Sequence, residues 1–469
     1  MIGRKQEKAR LLEAASSNYS EFVAVYGRRR VGKTFLVRET FNYTFAFQHS
    51  GLSGANYTLQ LSEFWRSLKA QGLPDCPRPH TWFDAFESLG NLLVKSTQKK
   101  KVVFLDELPW MDTPRSNFVF ALEHFWNGWA SARKDVLLII CGSATSWIIS
   151  KVLKNHGGLH NRVTMRLPLR PFTLYECKAF VEEKGLRFSD RDIADCYMVM
   201  GGIPFYWNRL QRGASLSQNI DSLFFNQDGE LHQEYHELFS SLFKMDGHHI
   251  AILESLGKRQ EGLTRKEILA ETKFSSNGGL TQSLEELEEC GFIRRYSHPT
   301  RSKSQQLFQL FDNFTLFYYQ FMANNRAHDA HFWTTSLNSP LHSNWTGLAF
   351  ERLCLQHIDQ IQKALGISGV ICNCYAWRFQ SEEHKGTQVD LVIDRQDNII
   401  NLCEIKFTRK PFAIDRNYSD NLQNKLESFI EENNPRKTVH LVLISANGLT
   451  TNSYSGIIQN VVTLEELFQ

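Results

Sequence analysis

Short apolar runs alternate with amphipathic stretches through the first 150 residues, the pattern of strands and helices that builds a parallel sheet covered on both faces. Residues 22–26 predict a buried strand, 33–41 a helix and 43–47 another strand. Helical periodicity follows at 59–71 and 82–96, with apolar strands at 102–105 and 136–141. From 173 to 242 the pattern is helical, punctuated by Gly201-Gly202-Ile203-Pro204.

Residues 247–312 change character. Three short helical patterns (250–258, 265–272 and 280–290) precede two strand patterns, 292–296 and 307–311, which flank a polar tip. That order predicts a winged helix. An aromatic helical connector follows, and a second α/β block starts near Gly347. It has a helix at 348–365, strands at 369–374, 388–394 and 399–407, a helix at 420–433 and a strand at 439–445. The expected fold class is α/β. A parallel-sheet core spans 1–172, a helical lid 173–246, the winged helix 247–312, a helical connector 313–346 and the last α/β domain 347–469. No internal repeat is visible.

A chain of 469 residues is too long for one core, which agrees with several domains. With 42% hydrophobic and 22% charged residues, the composition is that of a globular protein and excludes extended disorder. A net charge of +3 is too small to argue for nucleic acid, so local patches must carry that case. The charged start has no secretory core, and the apolar runs are far shorter than the roughly 20 residues a membrane span needs. Nine cysteines without a Cys-x-x-Cys pair point to reduced thiols, Cys372 and Cys374 included. The expectation is a soluble, cytoplasmic protein with no membrane partner.

The chemistry begins at Gly27-Arg28-Arg29-Arg30-Val31-Gly32-Lys33-Thr34, a Gly-x-x-x-x-Gly-Lys-Thr sequence between a strand and a helix. In a phosphate loop the glycines let backbone N–H groups turn toward phosphates, and the helix N-terminus adds partial positive charge. Lys33 would then reach the β- and γ-phosphates, and the Thr34 hydroxyl would ligate Mg²⁺. The strand Val102-Val103-Phe104-Leu105 ends in Asp106-Glu107. Asp106 is the candidate for the Mg²⁺ shell and Glu107 for polarising the attacking water. Ser143, past the strand ending in Cys141-Gly142, is a candidate sensor of the γ-phosphate, although Gly-Ser turns are common. Arg162 is the candidate for transition-state charge, in its own site or a neighbour's within a homo-oligomer; a surface ion pair is the equal alternative.

These segments, with Ile2-Gly3-Arg4, Leu169-Arg170-Pro171-Phe172 and Gly201-Gly202-Ile203-Pro204, resemble the archaeal-type ATPase family, a branch of the AAA+/STAND-like P-loop proteins. The resemblance implies ATP rather than GTP. It also implies a winged helix and a restriction-endonuclease-like C-terminal domain.

In the C-terminal block, Asp390 and Glu404 fall on neighbouring strand patterns, and Glu404 and Lys406 lie two apart, on one face. Glu351, on the preceding helix, would add a third acid. Two or three carboxylates would hold a divalent metal for phosphodiester hydrolysis, with Lys406 orienting or deprotonating water. Glu351, Asp390, Glu404 and Lys406 resemble the PD-(D/E)xK nuclease core, with Val389 where that motif has proline. A sheet surface of alternating charges is the plainer alternative.

The third helix of the winged region carries Glu285, Glu286, Glu288 and Glu289, which repel phosphates. Its wing carries Arg294, Arg295, His298, Arg301 and Lys303, suited to DNA phosphates. The expectation is therefore an ATPase acting on DNA through the wing and the nuclease-like domain. The rival is an ATP-dependent regulatory switch whose C-terminal domain does not cut.

Overall fold

The computed structural model describes residues 2–154, 157–159, 161–242, 247–259, 262–272, 274, 277–296, 306–325, 328–379 and 386–469. The chain divides into two compact units, Met1–Pro171 and Phe172–Gln469.

In the first unit, helix α1 (Lys5–Ser16) leads into β1 (Glu21–Tyr26), α2 (Lys33–Thr40), β2 (Phe47–Ser50), α3 (Tyr57–Ala70) and α4 (Trp82–Lys95). Next come β3 (Lys101–Asp106), α5 (Phe118–Phe125), β4 (Val136–Gly142) and β5 (Met165–Pro168). The five strands form one parallel sheet in the order β2-β3-β4-β1-β5. β3 and β4 are buried along their whole length, as their unbroken apolar runs require. Phe22, Phe47, Phe64, Trp82, Phe86 and Phe118 build the core on one face of this sheet. Trp82 enters it from a helix start fixed by a capping box, in which Thr81 accepts from Asp84 N–H and the Asp84 carboxylate accepts from Thr81 N–H.

The strand expected at 43–47 lies later, at Phe47–Ser50. Asn42 and Tyr43 both adopt the left-handed conformation (φ 48° and 57°), so the chain turns where aromatic and β-branched residues predicted extension. β5 was not anticipated, because it is short and only Leu167 is buried.

The second unit opens with α6 (Leu174–Glu183) and α7 (Asp190–Met200), each started by a capping box. The 247–312 region holds α8 (His248–Lys258), β6 (Leu263–Thr264), α9 (Arg265–Thr272), α10 (Asn277–Glu289), β7 (Ile293–Tyr296) and β8 (Leu307–Leu310). Its strands form an antiparallel sheet in the order β6-β8-β7.

The last block differs at its entry. One helix was expected at 348–365, but the structure has two: α11 (Pro340–Gln356), running through Gly347, and α12 (Ile358–Ala364). They break at His357, which is 1% exposed. Its Nδ1 meets the Leu353 carbonyl at 2.8 Å, and its Nε2 accepts from the Leu174 N–H at 2.9 Å. Burial pushes this imidazole down to about 4, in keeping with a neutral ring that accepts at Nε2. β9 (Cys372–Phe379), β10 (Thr387–Arg395), β11 (Ile399–Lys406), α13 (Arg416–Asn433), β12 (Thr438–Ser445) and β13 (Asn460–Thr463) complete the block. The sheet order is β13-β12-β11-β10-β9, parallel from β11 to β13 and antiparallel from β9 to β11. No helix among the described residues is long and apolar enough to cross a membrane.

Candidate functional site

The sheet order decides what meets in the first unit. β4 lies between β1 and β3, so the carboxyl ends of these parallel strands share one edge, where α/β sheets place their ligands. The phosphate-loop sequence leaves β1 at that edge. Gly27 has φ 147°, and a Cβ there would stand 2.3 Å from the Leu169 carbonyl oxygen, so a side chain has no room. Arg30 (φ 71°) and Gly32 (φ 89°) continue the turn. Gly32 caps α2, which puts Lys33 on the first turn of that helix. The buried Lys33 ammonium donates to the carbonyls of Gly27 at 2.8 Å and Arg28 at 2.9 Å, so it sits within the loop.

Thr34 and Asp106 meet directly. The Thr34 hydroxyl donates to Asp106 Oδ2 at 2.8 Å, while Oδ1 accepts from the Glu107 N–H at 2.9 Å. Glu107 takes the left-handed conformation (φ 45°), uncommon for a residue with a side chain. Its Oε2 accepts from the Ser143 N–H at 3.1 Å and the Ser143 hydroxyl at 2.8 Å. The absence of a side chain at Gly142 permits this approach, because a Cβ there would lie 2.6 Å from the Pro109 ring. Thus Lys33, Thr34, Asp106, Glu107 and Ser143 are linked around one strand edge. Arg162 is exposed, between the turn after β4 and β5, and none of its hydrogen bonds among the described residues reaches these groups.

Residues 1–210 match the family described as the ATPase domain predominantly from Archaea. This part of the chain is similar to P-loop ATPase domains. The match runs past the first unit through α6 and α7 of the second. An uncharacterized protein of Methanocaldococcus jannaschii is similar at 23% identity over 412 residues, 87% of each chain. The Walker-type ATPase of Pyrococcus abyssi aligns over 68% of this chain and 96% of its own, at 17% identity and a TM-score of 0.49. The Aeropyrum pernix ORC2 protein, in ADPNP and ADP complexes, covers 68% and 93% at 14% identity and a TM-score of 0.41.

The first unit offers donors that fit a magnesium nucleotide. Mg²⁺ takes hard oxygen ligands, and the hydroxyl of Thr34 and the carboxylate of Asp106 stand together beside the loop. Sequence reasoning gave Arg4 no role of its own. Its buried guanidinium donates to the Val31 carbonyl at 3.3 Å and pairs with Glu7, bracing the loop from α1. Nothing in the local pattern around Arg4 signals this contact.

In the second unit, the β10–β11 register pairs Leu391 with Cys403. Carried one step on, it sets Asp390 across from Glu404. The β9–β10 pairing shifts between Val389 and Val392, so Asp390 sits at a bulge, a device that re-aims side chains. Asp390 Oδ1 accepts from the Gln388 amide at 2.8 Å. Glu404 is 5% exposed and engaged on both oxygens. Oε2 accepts from Lys425 Nζ at 2.7 Å, and Oε1 meets Lys406 Nζ at 3.0 Å and the Tyr418 hydroxyl.

Charges in this cluster diverge. Burial works to raise Glu404, and the Lys425 and Lys406 ammonium groups outweigh it, holding the carboxyl at about 2. Burial, then the Asp390 carboxylate, push Glu351 up to about 8; burial, then Glu404, raise Asp390. For Lys406, burial works downward, but Glu404 wins and raises it above the usual lysine range.

The three acids predicted as metal ligands do not assemble as such. Among the described residues no group of three His, Cys, Asp or Glu is placed to hold a metal ion. Glu351 faces Arg352 at 3.6 Å, and the Glu404 oxygens are taken by cations and a phenol. As built, this set does not fit a metal. Tyr418 and Lys425, both on α13, were missed because only the tertiary fold brings them to Glu404.

In the 247–312 region, Arg294 donates to Gln309 Oε1 at 3.0 and 2.8 Å, and Arg295 pairs with Glu288. Glu286 meets His249 Nε2 at 2.7 Å. The expected wing-tip contacts of His298, Arg301 and Lys303 lie outside the described residues.

Proposed function

We propose that the chain is a Mg²⁺-dependent ATPase whose nucleotide state acts on a DNA-directed winged helix and a nuclease-like C-terminal domain. The observation that carries the first half is the 2.8 Å contact between Thr34 and Asp106, beside the Lys33 loop. Bound Mg²⁺ supplies positive charge to the β- and γ-phosphates. Thr34 and Asp106 would hold its shell, and Lys33, now on the Gly27 and Arg28 carbonyls, would turn to the phosphates. Glu107 accepts the proton of the attacking water, with Ser143 fixing the orientation of its carboxylate. Arg162 would serve only from a neighbouring copy or after a rearrangement of its loop.

Support for the winged helix comes from its element order and the antiparallel β6-β8-β7 sheet. Arg295 pairs with Glu288 of α10 and Arg294 with Gln309, so contact with DNA phosphates is proposed for the remaining basic residues of the wing sequence, His298, Arg301 and Lys303.

A second reading, a regulatory switch whose C-terminal domain does not cut, is favoured by the engagement of Glu404. The experiment is ATP turnover and plasmid cleavage with Mg²⁺ or Mn²⁺. Lys33→Ala should lose ATP binding, and near-normal turnover by that variant would overturn the ATPase site. Cleavage lost in Asp390→Ala would favour the nuclease; no cleavage in any nucleotide state would favour the switch.

A further inference from the structure

We infer that Gln60 is a positioning residue for Glu107: its side-chain amide ties the chain leaving β2 to the turn after Glu107, and so holds the Glu107 backbone in place. The inference rests on the ATPase reading and adds a residue of α3 to it. β2 is an edge strand, so its outer backbone groups have no strand partner. Two glutamines of and next to α3 take that place. The Gln71 amide accepts from the Gln48 N–H and donates to the Gln48 carbonyl, both at 2.8 Å. Gln60 makes the same paired contact with Leu52, at 3.1 and 2.6 Å, and its amide also reaches the Trp110 carbonyl at 2.8 Å. Gln60 is 0% exposed, with its acceptor oxygen and its amide nitrogen both in use.

The two ends of this bridge bracket Glu107. On one side the Gly51 N–H donates to the Asp106 carbonyl at 3.0 Å, and a Cβ at Gly51 would stand 2.5 Å from the Glu107 carbonyl oxygen. On the other, the Trp110 N–H donates to that same oxygen at 3.0 Å. The Glu107 carbonyl is therefore enclosed between Gly51 and Trp110, and Gln60 sets the spacing of the two walls. Left-handed backbone at a residue with a side chain persists only where its surroundings hold it. With the bridge cut, Glu107 can relax, which carries its carboxylate off the two Ser143 donors. The Gln60 side chain bonds to Leu52 and Trp110, so it acts on that carboxylate through the main chain. Gln71 has no such reach: its amide closes on Gln48 and on the Ser67 carbonyl of α3.

The test is steady-state and single-turnover ATP hydrolysis by the full-length chain with Mg²⁺. Gln60→Met keeps the length of the side chain and removes the amide. It should lose about tenfold to hundredfold in kcat, the scale of a misplaced catalytic group, with KM for ATP changed by no more than about twofold. Gln71→Met removes the matching edge contact and should lower the melting temperature without lowering kcat. In a Glu107→Gln background, Gln60→Met should cost nothing more, because the carboxylate it positions is already gone. If Gln60→Met does not fold, Gln60→Glu carries the test. Burial raises the new carboxyl, and its protonated form regains a donor, so turnover relative to wild type should rise as pH falls from about 8 to about 6. With Lys33→Ala inactive, any one of four results would overturn the positioning role: wild-type kcat in Gln60→Met, an equal kcat loss in Gln71→Met, a full further loss on Glu107→Gln, or a pH-independent Gln60→Glu ratio. Near-normal turnover by Lys33→Ala would instead overturn the ATPase reading beneath it.

Discussion

Ser143 offers both its hydroxyl and its backbone N–H to the same oxygen of Glu107, at 2.8 and 3.1 Å. Two donors on one carboxylate oxygen fix its direction, and the left-handed backbone at Glu107 makes that direction dependent on the partner. Glu107→Gln should retain ATP binding and lose turnover by about 10²–10⁴-fold, the usual range for a positioned base. Ser143→Ala should lose about tenfold in kcat with little change in KM, since one hydrogen bond to a charged group is removed. A steady-state ATPase assay separates the two; full activity in Ser143→Ala would detach this serine from the chemistry.

Thr34 and Asp106 share a hydrogen bond where a magnesium shell would form. Thr34→Ala should therefore act on metal more than on nucleotide. Its ATP affinity with Mg²⁺ should fall about tenfold or more, about 1.4 kcal/mol, while its affinity in EDTA stays near wild type. Equilibrium binding of a fluorescent ATP analogue under the two conditions checks this.

Gly202 accepts the Phe172 N–H at 2.6 Å through its carbonyl, and a Cβ at this position would stand 1.9 Å from the Phe172 carbonyl oxygen. Two backbones in contact leave nothing flexible to give way. Gly202→Ala should destabilise the second unit by about 1–3 kcal/mol, the range for overpacking a tight site, read as a lower denaturation midpoint with an unchanged m-value.

Glu351 gives a pH signature. Burial and Asp390 push it up to about 8, against an ordinary 4.5 in the unfolded chain. Between these values the folded state keeps a proton that the unfolded state releases, so this contribution is complete below about pH 4.5 and is lost as pH rises through 8. Glu351→Gln should remove that loss. Its melting temperature should gain on wild type steadily from pH 5 to pH 8. His342 and His357, both pushed down to about 4 by burial, act in the opposite direction below about pH 6.5, but equally in both proteins. Parallel melting curves across this range would contradict the prediction.

What the sequence disclosed depended on how local each feature is. The β1–loop–α2 passage was readable because glycine chemistry and apolar runs act over a few residues, and the same holds for Asp106-Glu107 at the end of β3. β2 was placed too early because two left-handed residues, Asn42 and Tyr43, overrode strand propensity. The break at His357 was illegible, since the N–H that its ring accepts lies 183 residues away. Glu351, Asp390, Glu404 and Lys406 were read as a metal site from strand spacing, whereas among the described residues no three acids are placed to hold a metal. Lys425, 21 residues past Glu404, decides that carboxylate's partner, and only the packing of α13 against the sheet brings it there.

The link from Arg4 to the Val31 carbonyl has a practical reach. Arg4 lies outside the Gly-x-x-x-x-Gly-Lys-Thr stretch, so a substitution there would loosen the Val31 turn while leaving every residue of that stretch in place, and a survey of inactive variants should count Arg4 with the loop.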